Sequence, residues 1–338
     1  MLTIYKDNIT NRNTKFEKLV LRTQKEMKEY VKSRLGNHGK VIDRDGFVYY
    51  KGTFPVLLCA HLDTVHKQVP HTLVYANGTL SSPQGIGGDD RCGVYMIFKI
   101  LQKYDCSVVF LEDEEIGCVG ARKFTFSSVC QNIKKENNLK YIIEFDRKEN
   151  NHAVTYDCAN KEFDDFITKE FFKKEHGTCS DISYIAPELG IAAVNLSCGY
   201  YKEHHLEEWI NLKEMEKVIV ETMKVLERTK ELDKPFEYIK KQGYGRYGYG
   251  WDYGYGDDDD YYLSGRYNGY GGRYSGGYSG GYYSTPKSKT YKFTYSVGGS
   301  LIRNMSIVAK TEEAAYYQFF KIERKVCYND LINVIEEK

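Results

Sequence analysis

FPVLLCAHLDTV, Phe54 to Val65, is an apolar run that turns polar at His61 and Asp63. A strand covered on both faces reads this way, because neither side of it meets water. CSVVFLEDEE (106 to 115) and KYIIEFD (140 to 146) repeat the pattern, each passing from apolar to acidic, and GIAAVNLSCGYY (190 to 201) is a fourth such run. Between the first two, DDRCGVYMIFKILQKY (89 to 104) predicts a helix with acids in its first turn, where the helix dipole favours them. NLKEMEKVIVETMKVLERTKEL (211 to 232) predicts a strongly periodic helix with Asn211 as its N-cap. Upstream, the spacing of Phe16, Leu19, Val20, Met27, Tyr30 and Val31 predicts one amphipathic helix over 14 to 35, and KVIDRDGFVYYKG (40 to 52) predicts a hairpin turning at Asp45-Gly46. Buried strands alternating with helices give an α/β fold, a three-layer sandwich around a mixed, mostly parallel sheet.

The rest of the chain divides by composition. Residues 1–240 form the expected catalytic-sized domain; 241–289 are a Gly/Tyr-rich tract with almost no aliphatic residues, read as a linker. In 290–338, TYKFTYSVGGSLIRNMSIVAK predicts two strands around Gly298-Gly299 and TEEAAYYQFFKIERKV a helix, a small β-β-α module. A module of that size is marginal alone, so docking or homo-oligomer formation is expected.

Charge excludes some partners. Forty-eight Lys and Arg against 47 Asp and Glu leave a formal net charge of +1, too little for a field that gathers nucleic acid or acidic lipid. Arg246, Arg266 and Arg273 in the Gly/Tyr tract offer stacking cations, but Asp257 to Asp260 repel phosphate, so nucleic acid is not an expected partner. The nine cysteines form no C-x-x-C pair and several sit in apolar runs, so they read as reduced packing residues. No apolar run approaches the roughly 18 residues that cross a bilayer, and no secretory pattern opens the chain. A cytoplasmic, membrane-free protein is the expectation.

An acid after a strand is ordinarily a solvated turn or a cap. Here the acids and histidines recur at strand ends in an order with chemical meaning, since catalytic zinc takes His nitrogen and carboxylate oxygen, and two-metal sites share a group. GIGGDDRCGV (85 to 94), LEDEEIG (111 to 117), IIEFDR (142 to 147) and GYYKEHHLEEWI (199 to 210), after HLDTV, resemble the zinc-dependent exopeptidase superfamily of aminopeptidases, tripeptidase-like enzymes and acetylornithine deacetylase relatives. The likeness runs from about Val41 to Leu232.

It implies two divalent metal ions, zinc with cobalt or manganese as alternatives. His61 and Asp146 would hold one, Glu115 and His204 the other, and Asp89 would join them. Spacing to Glu208 and Trp209 selects His204 over the adjacent His205, and the remaining histidines, His66 among them, read as surface or packing residues. Glu114 is implied as the general base acting on a metal-bridging water, with Asp63 orienting His61. Ser180 and Asp181 in HGTCSDIS (176 to 183) are candidate contacts for a substrate amine or carbonyl. Only 147–203 separate Asp146 from His204, too little for the lid domain of the deacetylase branch, so the likeness is to the lidless aminopeptidases. The expected reaction is amide hydrolysis by an aminopeptidase on short peptides. An N-acyl amino acid deacylase, or a non-catalytic scaffold that keeps the fold, are the alternatives.

Overall fold

A computed structural model of the chain describes residues 2–7, 12–241, 289–297, 301–309 and 331–337. The Gly/Tyr tract read as a linker and the helix expected over 311–326 lie outside the described residues.

An eight-stranded mixed sheet forms the centre. Its order is Lys173–Glu175, His152–Val154, Ala193–Ser197, Tyr141–Arg147, Phe54–His61, Cys106–Leu111, Phe47–Tyr50, Val41–Arg44. Phe54–His61 is a middle strand, parallel to both its neighbours, Cys106–Leu111 and Tyr141–Arg147. The expected hairpin is present, Val41–Arg44 pairing antiparallel with Phe47–Tyr50. Successive side chains of a strand point to opposite faces, and the apolar residues sort accordingly. Val56, Leu58, Ala60, Val108, Phe110, Ile143 and Phe145 join one core with the helices Thr14–Val20, Gln24–Gly36, Gly88–Ile100 and Leu212–Thr229. Leu57, Cys59, Val109, Leu111 and Ile142 join a second with Val119–Thr125, Ser128–Glu136 and Ile182–Leu189. Helices on both faces make the three layers, and truncating a fully buried residue such as Leu58 to Ala would cost about 2–5 kcal/mol.

Three details differ from expectation. The single helix predicted over 14 to 35 is two, Thr14–Val20 and Gln24–Gly36. Thr23 caps the second with Glu26 in a capping box, and so stops the chain from continuing through. The run 190 to 201 divides between two sheets, because Tyr200–Tyr201 leaves the central sheet. It joins a second sheet ordered Thr3–Lys6, Thr72–Ala76, Thr79–Ser81, Trp209–Asn211, Tyr200–Tyr201. At the C-terminal end the two expected strands, Lys289–Val297 and Leu301–Ala309, are joined by a third, Leu331–Glu337, on the other edge of Lys289–Val297. No helix of the described residues is long and apolar enough to cross a membrane, and the eight described cysteines are free thiols.

Candidate metal centre

The parallel strands deliver side chains to one edge of the sheet, where α/β proteins place their sites. His61 ends Phe54–His61, Asp146 lies next to the end of Tyr141–Arg147, and Glu114 and Glu115 follow Cys106–Leu111. Asp89 stands at the start of the helix Gly88–Ile100, entered through Gly87 at φ 65°, a conformation natural to glycine. The Asp89–Asp90 peptide bond is cis. His204 comes from the loop between Tyr200–Tyr201 and Trp209–Asn211, and its own φ is 63°.

Two groups result. His61, Asp89 and Asp146 each place a donor atom within 4.8 Å of the others, and so do Asp89, Glu115 and His204. Asp89 belongs to both through different oxygens: Oδ1 lies 2.9 Å from His61 Nε2 and Oδ2 3.2 Å from His204 Nε2. His61 Nε2 is 3.5 Å from Asp146 Oδ1, and His204 Nε2 is 3.1 Å from Glu115 Oε2. His205 belongs to neither group.

Behind this layer the chain fixes its own ligand-type residues. Asp63 Oδ1 is 3.2 Å from His61 Nδ1, and its two oxygens accept the Glu114 and Glu115 backbone N–H groups at 3.0 Å each. Buried Arg91 donates to the carbonyls of Leu62 and Asp63. Asn195 accepts the Asp146 N–H at 2.9 Å and donates to the Asp146 carbonyl at 3.0 Å.

Ser180 and Asp181 lie beneath the site, both fully buried. Ser180 Oγ is 2.5 Å from Glu144 Oε2 and 2.9 Å from Asp146 Oδ2. Neither oxygen of Asp181 has a hydrogen-bond partner. Glu144 and Asn195 were missed by sequence reasoning, and Glu208 entered it only as a spacing marker for His204. For Glu144 a signal existed: an acid inside the apolar strand YIIEFD, two residues from Asp146 and so on its face.

Burial raises the pKa of Glu114 well above the usual carboxylate range, and the negative charge of Asp146 adds to it. Glu115 is pushed up to about 7 by burial and by Asp89. Burial works against the charged forms of the histidines, but bonds to carboxylates win. Those to Asp146, Asp63 and Asp89 hold His61 well above 6.5, and those to Asp89 and Glu115 carry His204 to about 12. Burial alone would raise Asp89, yet His204 and His61 hold it below its ordinary range. Each imidazole thus sits among carboxylates as a cation would. Nitrogen with carboxylate oxygen is a donor set for zinc and similar divalent ions, and the buried, unpartnered Glu115 Oε1 is available to one.

The fold is shared with a solved aminopeptidase structure. Aminopeptidase PepT from Bacillus cereus ATCC 10987 matches with a TM-score of 0.50 at 14% identity, over 64% of this chain and 97% of that one. An aminopeptidase from the archaeon Desulfurococcus kamchatkensis gives 0.49 at 15%, over 63% and 93%. A tripeptidase from Staphylococcus aureus subsp. aureus Mu50 gives 0.48 at 12%, over 64% and 97%. At these identities the likeness is one of fold. No protein-family model matches the chain, and no curated protein matches its sequence.

Proposed function

We propose that this chain is a binuclear metal-dependent hydrolase that cleaves peptide bonds, an aminopeptidase acting on short peptides. The observation that carries the reading is Asp89, whose two oxygens each face a separate His–carboxylate group. Zinc suits the donor set best, with cobalt or manganese as substitutes. Divalent ions held by His61, Asp89 and Asp146 and by Asp89, Glu115 and His204 would lower the pKa of a water toward ~7 and polarise a carbonyl oxygen.

The remaining work belongs to the chain. Asp63 accepts the Nδ1–H of His61 and so leaves the Nε2 lone pair free for the ion that Asp89 and Asp146 would share. Glu114, its carboxylate made more basic by burial and by Asp146, accepts the proton of the attacking water and returns it to the leaving amine. The Cys118 thiol, 3.5 Å from Glu114 Oε1, helps to orient that carboxylate. Ser180 supports Asp146 from below rather than meeting substrate.

Short peptides with free amines, assayed beside N-acylated amino acids, test the substrate class. Release of the N-terminal residue from the free-amine set is the expected result. Cleavage of the acylated set alone would replace the aminopeptidase by a deacylase, and cleavage of neither by metal-loaded protein would end the enzymatic reading.

A further inference from the structure

Glu208 ties together three loops of the candidate centre. Its carboxylate is 1% exposed and collects three donors. Oε2 accepts the Gly87 N–H at 2.8 Å and lies 3.0 Å from His66 Nε2, while Oε1 accepts the Asp89 N–H at 3.0 Å. Gly87 and Asp89 flank the start of the helix Gly88–Ile100, and Asp89 is the residue the two ligand groups share. Glu208 sits four residues after His204 and closes the same loop, its own N–H bonded to the His205 carbonyl at 3.1 Å. One buried carboxylate therefore sets where Asp89 stands relative to His204.

The other end of the tie is also fitted. The His66 ring lies over Gly85, where φ is 81° and a β-carbon would stand 2.2 Å from Cε1. Space for the imidazole exists only because residue 85 has no side chain. His66 in turn stops the Glu208 carboxylate from rotating away from the two backbone N–H groups.

We propose that Glu208, pinned by His66, is the positioning residue of the two-ion centre, holding the backbone of Asp89 so that one carboxylate oxygen reaches each ion. The inference rests on the metal-centre reading above. Outer partners of metal ligands typically govern roughly 10–100-fold in metal affinity. Because Asp89 serves both sites, losing the tie weakens both together, whereas a residue that only fills space lowers stability and leaves ion affinity alone.

The substitution Glu208→Gln keeps size and shape but turns one acceptor oxygen into an NH2 donor, which faces a backbone N–H it cannot bond. His66→Ala removes the pin alone. Titration of metal-free wild type, Glu208→Gln and His66→Ala with Co2+, followed by visible absorption, together with the melting temperature of each metal-free protein, reads the effect. Expected are two ions in wild type, a loss of roughly 10–100-fold at both in Glu208→Gln alongside a lowered metal-free melting temperature, and a smaller affinity loss in the same sense in His66→Ala. If Glu208→Gln does not fold, His66→Ala decides. Wild-type affinity in the variants, or a loss at one ion only, overturns the positioning role. A wild type that takes up no Co2+ removes the metal-centre reading itself and this inference with it.

Discussion

Among the described residues, two places that bury carboxylates do it in opposite ways. Glu17, at the first turn of Thr14–Val20, is met by Arg12 Nε at 2.8 Å and Nη2 at 2.6 Å and by the Tyr75 hydroxyl at 2.8 Å. Those partners hold its pKa below the usual range, Arg12 acting most strongly. At the sheet edge Asp89, Glu114, Glu115, Glu144, Asp146 and Asp181 crowd around His61 and His204; burial pushes all of them up, and only in Asp89 do the histidines outweigh it. Glu115 Oε1 and both oxygens of Asp181 have no hydrogen-bond partner. An unpaired buried charge is among the most costly features a fold carries. The first cluster is neutralised from within the chain and serves stability; the second, on the function proposed above, is left for cations from outside.

The contrast breaks most easily at Glu114. Glu114→Gln is expected to lower peptide hydrolysis by roughly 10²–10⁴-fold while keeping metal content and melting temperature, and Glu17→Gln to leave the rate untouched. A Glu114→Gln protein that turns over normally would erase the distinction. Chelation comes next. A ligand held at a hundred times its Kd stabilises a fold by about 2.7 kcal/mol, so metal-free protein should melt well below loaded protein, and Glu17→Gln should show the same gap. Urea unfolding of Arg12→Ala or Glu17→Gln should then show a loss of about 1–3 kcal/mol, the usual cost of a buried hydrogen-bonded group left without its partner, with kcat/KM unchanged.

Acid gives the smallest effect and the cleanest sign. The folded pKa of Glu17 is lowered from 4.5, so its contribution is present above about 4.5 and lost as pH falls below it. Glu115 is raised from 4.5 to about 7, so in metal-free protein its contribution is full below about 4.5 and is lost as pH rises through about 7. Melting curves of chelated protein across pH 3–8 should show a shallower low-pH slope in Glu17→Gln and a shallower 4.5–7 slope in Glu115→Gln than in wild type. Identical profiles for the two variants would contradict the assignment.

Much of the central sheet was legible because burial on both faces writes an unbroken apolar run, as in Phe54 to His61. The strand ends were legible because His61, Glu115 and Asp146 interrupt such runs. Thr23 and Glu26 spelled a capping box that could have divided the first helix, but the apolar spacing across 14 to 35 masked it. The second sheet was missed because its strands, such as Thr79–Ser81, are too short to show a period and pair with segments far along the chain. The burial of Asp181 and the tie from His66 to Glu208 exist only once three loops meet, and nothing local to HGTCSDIS or HLDTVHK announces them.

The central claim is that Asp89 joins two ions. Metal content by mass spectrometry, on protein purified without chelators and then loaded with zinc, tests it in wild type, Asp89→Ala, His204→Ala and His205→Ala. The account expects near two equivalents in wild type and in His205→Ala, about one in His204→Ala, and a loss of both in Asp89→Ala. No uptake by wild type, or two equivalents retained in Asp89→Ala, would contradict it.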